Sequence, residues 1–366
     1  MFPEIKIPES EITGFIDNVS SKDIGTALSA RRPAPEDFLR LISPAALDFL
    51  PEMRERARIN KNMHYGRTVK LYTPLYLSNY CINQCAYCGF NASLNQKRRR
   101  LSVDEAVREA EVIRSYGIDS LLLVSGEDPV HISVEYLEEL VKKLKKIFSY
   151  IAVEIYPMSS EKYKRLFNAG VDGLTLYQET YDRKTYEALH LAGPKADYDN
   201  RLKFMAMGAE AGFRVLGLGV LLGLYNWRVD ALSMLIHARW LKKRFWKSKI
   251  QFSFPRITPA AGNFQVPEFI SDQEFEQLVL AVRIVEPESE ISISTREPES
   301  FREKIVLTAA SSISAASSVV PGGYVDRDEC TLEQFSLNDN RSVSVLDSVL
   351  KQLGLDPVYK DWDCCI

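Results

Sequence analysis

Six cysteines and four histidines in 366 residues leave little material for disulfides or metal chemistry. Three of the six cysteines stand close together, and an odd number argues against a disulfide staple. A zinc site would need a fourth ligand beside those three; His64 is the nearest histidine upstream, and no second cysteine pair or spaced histidine pair follows. An excess of one charge is also missing. With 46 Lys and Arg against 49 Asp and Glu the net charge is -3, so the chain as a whole has no attraction to nucleic acid or to an anionic membrane. Long apolar runs are absent too: Val215 to Tyr225 is too short and glycine-rich to span a bilayer, and the stretch from Met1 to Glu9 lacks the apolar core of a secretory signal. The expectation is a cytoplasmic protein in a reducing compartment. A composition of 46% hydrophobic and 26% charged residues suits a globular chain with a large core.

What is present is concentrated between Leu77 and Phe90, in the run Leu-Ser-Asn-Tyr-Cys-Ile-Asn-Gln-Cys-Ala-Tyr-Cys-Gly-Phe. Cys81, Cys85 and Cys88 have the spacing of three corners of one cubane [4Fe-4S] cluster, with zinc or free thiols as the bland alternatives. Electron-transfer clusters are held by four cysteines. Three leave one iron open to a small molecule, which is a catalytic arrangement. With Tyr87 and Gly89-Phe90 around the third cysteine, the run resembles the radical S-adenosylmethionine enzymes, in which the open iron chelates the amino and carboxylate groups of S-adenosylmethionine.

Around this motif the chain alternates. Residues 1–66 read as a helical extension without strands, with helix starts at Pro35 and at Ser43-Pro44. From Val69 onward eight short apolar strands are predicted, near 69–76, 120–125, 151–156, 172–178, 214–220, 250–255, 290–295 and 311–319. Helices are predicted between them, the first opened by a capping box of Ser102 and Glu105, the others near 133–148, 159–169, 197–212, 228–244, 271–285 and 298–309. Eight βα units over residues 67–325 predict an α/β fold, a closed (βα)₈ TIM-type barrel whose reactive residues sit at the C-terminal ends of the strands. Residues 326–366 read as a polar, loop-like tail packing on the barrel.

The motifs fall at those strand ends. On strand three Glu154 and Tyr156 alternate with Ile151, Val153 and Ile155, which places Glu154 in the lumen. There an ionised carboxylate needs a partner: a ribose with two hydroxyls, or in the bland reading a lysine or arginine across the barrel. Strand seven puts Ser292, Ser294 and Arg296 on one face. Arg296 can fork a carboxylate, so with Ser294 it is the candidate grip for an amino-acid substrate; pairing with Glu179 or Glu154 is the alternative. Gly126 follows strand two, where glycine admits close backbone approach to a ligand. The basic run Lys97 to Arg100 is either a solvated surface or a dock for an acidic electron donor such as flavodoxin or ferredoxin. Cys330, Cys364 and Cys365 read as free thiols, and His131, His190 and His237 as packing residues.

The resemblance narrows along the chain. Pro74 to Asn79, Cys88 to Phe90, Leu121 to Glu127, Tyr177 to Tyr181, Asn226 to Asp230, Ser253 to Arg256, Ser294 to Glu297, Pro321 to Tyr324 and Lys360 to Asp363 are similar to the tyrosine lyases of thiazole biosynthesis, the 2-iminoacetate synthases. The resemblance implies cleavage of L-tyrosine between Cα and Cβ by a 5'-deoxyadenosyl radical, giving 2-iminoacetate for a thiazole synthase partner and p-cresol. It also implies that Tyr87, Gly126, Glu127, Glu154, Gln178 and Glu179 position S-adenosylmethionine, where Ser125-Gly126-Glu127 varies a Gly-Gly-Glu turn. Neighbouring expectations are a hydrogenase-maturase type of tyrosine lyase and a tryptophan lyase. A zinc-holding barrel without redox chemistry is the alternative from another class.

Overall fold

The computed structural model describes residues 8–95, 97–326 and 333–360. Eight parallel strands, β1 (Thr68–Ser78), β2 (Ser120–Ser125), β3 (Tyr150–Glu154), β4 (Gly173–Thr175), β5 (Val215–Gly219), β6 (Lys249–Ser253), β7 (Glu290–Ile293) and β8 (Ser312–Ser314), follow one another around a barrel. Pairing of Lys70 to Tyr72 with Ser312 to Ser314 closes it. The TIM-type barrel expected from the alternating pattern is therefore the fold. Leu71, Leu75, Leu121, Leu123, Ile151 and Val153 are buried on the helix side, each contributing about 1.5–3 kcal/mol of burial. The opposite residues of the same strands face inward, because strand side chains alternate.

The lumen is filled with polar groups where aliphatic layers are usual. Lys70 Nζ lies 3.8 Å from the centre of the Tyr150 ring, Gln251 donates to Glu290 at 2.5 Å, and the Ser292 hydroxyl donates to the Tyr72 oxygen at 3.0 Å. These groups satisfy one another below the mouth of the barrel.

Several strands are shorter than the predicted ones. β4 ends before Glu179, whose φ of 71° bends the chain across the mouth, and β8 ends before Ala316, with φ 46°. β3 stops at Glu154, so Tyr156 leaves the lumen register and donates its hydroxyl to the Ile132 carbonyl at 2.6 Å. The expectation that Glu154 and Tyr156 share a face fails for this reason: a two-residue period holds only while the strand continues.

The N-terminal part is helical among the described residues: Glu9–Ile16, Ser21–Ser29, Pro35–Leu41 and Leu50–Tyr65. It covers a barrel helix, Asp272–Val285, whose residues from Phe275 to Val285 are all buried. Two polar residues of that helix find their partners in the cover. Arg54 donates to both oxygens of Glu276 at 2.7 and 2.8 Å, and the Gln277 amide donates to the Leu41 and Ser43 carbonyls at 2.9 and 2.7 Å. The tail differs from its prediction as a loop. Helix Val343–Gln352 buries Val343, Leu346 and Leu350, and β9 (Asp356–Val358) pairs with Thr68 to Lys70, where β1 starts ahead of β2. Among the described residues no helix is long and apolar enough to cross a membrane.

Candidate active site

The three cysteines sit on the loop that leaves β1, folded by its own hydrogen bonds. Cys88 N–H donates to the Cys85 carbonyl at 3.2 Å, and Arg98 donates to the carbonyls of Asn79, Phe90 and Asn91 at 2.5, 2.8 and 2.6 Å, drawing both ends of the loop together. Backbone amides already point at sulfur: Asn83 N–H to Cys81 Sγ and Phe90 N–H to Cys88 Sγ, both 3.4 Å. Such bonds favour thiolates and tune a cluster. Burial pushes the Cys85 thiol up to about 12, with Cys88 and Cys81 adding repulsion and Lys195 opposing it. Three thiols close enough to disfavour one another's ionisation, two of them, Cys81 and Cys88, packed against the apolar side chains of Tyr76, Phe90, Val124 and Val319, fit a cationic metal centre.

A tetrahedral zinc would bring its thiolates within about 3.8 Å of one another. Among the described residues no three His, Cys, Asp or Glu side chains converge tightly enough for a single metal ion. Three thiols on one loop have the donor chemistry of an iron-sulfur site.

Gly126 packs against the cysteine loop: a Cβ there would overlap the Tyr80 carbonyl and lie 3.2 Å from Cys81 Cβ, so glycine is required at this position. The serine in place of the first glycine of the turn is accommodated, because its hydroxyl donates to the Gly126 carbonyl at 2.6 Å. Glu127 accepts from the Asn83 amide at 2.6 Å, and the Asn83 oxygen accepts from Lys195 N–H at 2.9 Å. Tyr87 donates its hydroxyl to His190 Nε2 at 2.9 Å while His190 Nδ1 donates to the Tyr186 carbonyl at 2.7 Å. Burial holds His190 neutral, down to about 3.

Glu179 is ion-paired with Lys195 at 2.6 Å, and Lys195 and Arg201 hold its carboxyl low despite burial. Gln178, between Tyr177 and Glu179, donates its backbone N–H to Gly219 at 3.2 Å, and its amide nitrogen is buried without a partner. Lys195, Asn83, His190 and Arg201 were missed in the sequence reading. Asn83 stands inside the cysteine motif, where its spacing could have marked it; Lys195, His190 and Arg201 carry no motif spacing and reach the site only through the fold.

Deeper in, Glu154, Ser294 and Arg296 line one cavity with Tyr72, Tyr76, Tyr177 and Phe335. Here both bland readings fail. Among the described residues neither Glu154 nor Arg296 has an oppositely charged side chain within 4.0 Å. The neighbouring carboxylate of Glu297 is taken by Arg256, which also reaches Asp272 at 2.6 Å. Arg296 makes its bonds to a carbonyl, that of Arg256 at 3.4 Å, and to a ring face. Burial and the nearby Glu179 push Glu154 up to about 7, with Arg296 opposing.

The basic run is used within the chain. Arg98 cages the cysteine loop, Arg99 donates to the Asp326 carbonyl at 3.0 Å, and Arg100 is ion-paired with Asp128 and stacked 3.7 Å over Tyr80. Cys330, Cys364 and Cys365 lie outside the described residues.

Comparison with known proteins agrees with this arrangement. Residues 75–235 match the model of the radical SAM superfamily, and residues 253–356 match that of the biotin and thiamin synthesis associated domain. The chain is 39% identical to the 2-iminoacetate synthase of Salmonella typhimurium strain LT2 and 38% identical to that of Escherichia coli strain K12, over 95% of this chain and 92% of each relative. Among solved structures, HydG, a maturase of the [FeFe]-hydrogenase, superimposes with a TM-score of 0.90 at 35% identity, over 98% of this chain and 81% of that one. Methylornithine synthase, at 20% identity and a TM-score of 0.74, shares the fold. With its cysteine loop above a barrel whose Arg296 has no acidic partner among the described residues, and with such relatives along nearly its whole length, the chain belongs to the 2-iminoacetate synthase family of radical SAM enzymes.

Proposed function

We propose that the protein is a carbon–carbon lyase that cleaves L-tyrosine between Cα and Cβ to 2-iminoacetate and p-cresol. The observation that carries this reading is Arg296: a half-buried guanidinium with no carboxylate within 4.0 Å among the described residues, beside Ser294, inside a barrel whose mouth holds Cys81, Cys85 and Cys88. These cysteines would hold a [4Fe-4S] cluster, which together with S-adenosylmethionine supplies a 5'-deoxyadenosyl radical when bound.

The chain's own residues bind and orient. Arg296 and Ser294 grip the substrate carboxylate and so fix the amine at the mouth, where hydrogen transfer needs atoms held about 3–3.5 Å apart. Tyr87 and Glu127 shape the mouth around S-adenosylmethionine, and Gln178 and Glu179 border it. Glu154 accepts from the ribose hydroxyls. The hydrophobic shell and the closed barrel keep water from the reacting atoms. The product imine passes to a thiazole synthase, and a flavodoxin or ferredoxin delivers the electron, both in a reducing cytoplasm.

Glu154 gives this reading a pH signature. Accepting from both ribose hydroxyls needs both carboxylate oxygens, and the proton, held up to about 7, takes one of them away. The dissociation constant for S-adenosylmethionine should therefore rise as pH falls below 7, approaching about tenfold per unit, and Glu154→Gln should flatten the profile. A wild-type profile already flat between pH 6 and 8 would remove Glu154 from the ribose.

The function itself is tested by anaerobic incubation of reconstituted protein with S-adenosylmethionine, tyrosine and dithionite. Dehydroglycine (trapped or hydrolysed to glyoxylate), p-cresol and 5'-deoxyadenosine are expected together. Deoxyadenosine without cresol, or indole products from tryptophan in its place, would reject the substrate.

A further inference from the structure

The cavity around Arg296 is closed on one side by a segment that is not part of the barrel. Residues 333–339 cross the mouth between the cysteine loop and the end of β7. Gly89 N–H donates to the Gln334 carbonyl at 3.2 Å and the Tyr76 hydroxyl to the Gln334 side chain at 2.6 Å, which fixes one end to the cysteine loop. Ser336 N–H donates to the Pro259 carbonyl at 2.9 Å, tying the middle to the loop after β6. At the other end the backbone amides of Asn338 and Asp339 donate to the Thr295 carbonyl at 2.9 and 3.1 Å, and the Asn338 side chain donates to the Arg296 carbonyl at 2.6 Å. Asp339 is anchored by Arg302 and by Arg341, with both the Asp339 and Arg302 side chains almost fully buried.

Between these ties stands Phe335. The guanidinium carbon of Arg296 lies 3.3 Å from the centre of its ring. Withdrawing that cation from water without a carboxylate is costly, and the ring face offsets part of the cost by cation–π attraction. The stack also has a geometric effect. A ring laid on the guanidinium covers one face and leaves the edge, where the N–H groups point, for a bidentate acceptor in the plane.

We propose that Phe335 is a positioning residue of the amino-acid site: its ring fixes the plane of Arg296 so that the N–H edge meets the substrate carboxylate, and the C-terminal segment thereby completes a site that the barrel alone leaves open. The inference rests on the reading that Arg296 binds that carboxylate. It also links two parts of the site, because the backbone that places Phe335 is bonded through Gln334 to Gly89, next to Cys88.

The test uses the full-length reconstituted protein with Phe335→Leu, which keeps apolar bulk without a ring, and Phe335→Tyr, which keeps the ring face. Iron content, S-adenosylmethionine affinity, tyrosine binding by equilibrium dialysis without reductant, KM and kcat, and the ratio of 5'-deoxyadenosine to p-cresol are measured for each, with Arg296→Ala alongside. Phe335→Leu should raise the dissociation constant and KM for tyrosine about tenfold or more and raise the deoxyadenosine-to-cresol ratio, with iron content and S-adenosylmethionine affinity unchanged. Phe335→Tyr should stay within about twofold of wild type. Wild-type tyrosine affinity and product ratio in Phe335→Leu, equal damage in both variants, or a parallel loss of iron and S-adenosylmethionine binding would overturn the proposal. If Arg296→Ala also leaves tyrosine binding intact, the carboxylate reading falls with it; if Arg296→Ala weakens binding and Phe335→Leu does not, only the role of Phe335 is lost.

Discussion

Replacing Arg296 by alanine is expected to lower kcat/KM for tyrosine by about 2–5 kcal/mol, roughly 30- to 4000-fold, while iron content stays at the wild-type level. The size follows from what the variant leaves behind. The cations of the neighbouring strand ends are already committed: Arg256 to Glu297 and Asp272, and Lys195 to Glu179. A substrate carboxylate entering the variant would be buried without a charged donor. Lysine at this position keeps the charge but loses the planar fork, so Arg296→Lys should recover only part of the loss. Among the described residues the Arg296 guanidinium bonds to the Arg256 carbonyl and the Phe335 ring and to no group of the cysteine loop, which is why cluster assembly is expected to survive. Unchanged tyrosine kinetics in Arg296→Ala would refute the assignment.

Gly126→Ala should act on the opposite half of the site. The added Cβ would meet the Tyr80 carbonyl and crowd Cys81, both backbone-borne groups that cannot rotate away. The loop must shift, and with it the first of the three thiols and the Ile82 N–H that donates to the Glu127 carbonyl at 3.0 Å. Iron content after anaerobic reconstitution is expected to fall well below wild type, and tyrosine turnover with it, while the circular dichroism of the barrel is retained. Ser125→Gly, which removes only a local hydroxyl bond, should keep its iron. Full iron loading and activity in Gly126→Ala would show that the loop has room the structure does not have.

The fold was legible because the barrel strands carry apolar helix-facing positions in a two-residue rhythm, and the helices between them carry clear starts such as Ser102 with Glu105. Legibility failed where backbone direction changes. Glu179 and Ala316 sit at positive φ, and no glycine marks either place in the sequence. The tail was read as a loop because its polar residues outnumber the Val343, Leu346 and Leu350 spacing that forms its helix.

For the site, the three cysteines, Glu154 and Arg296 announce themselves by strand-end position. Whether two opposite charges in one lumen pair is a matter of tenths of a nanometre that periodicity does not contain, and the outcome here, with Glu297 claimed by Arg256, depends on a neighbouring strand. Lys195 is a similar case: it enters from the loop after helix Arg183–Leu189, which was not predicted, and its burial beside Glu179 gives no local signature. The basic run reads from its clustering as either a solvated or a docking surface; the bonds of Arg98 and Arg100 to carbonyls, Asp128 and the Tyr80 ring are set by the fold and leave no trace in the clustering.

The most direct test is electron paramagnetic resonance on reconstituted, dithionite-reduced protein, titrated with S-adenosylmethionine alongside an iron count. About four irons per chain and a reduced-cluster signal whose g values move on addition of S-adenosylmethionine are expected, because three cysteines leave one iron to an outside ligand. A signal indifferent to S-adenosylmethionine, or protein that takes up zinc and no iron, would contradict the open corner on which the chemistry depends.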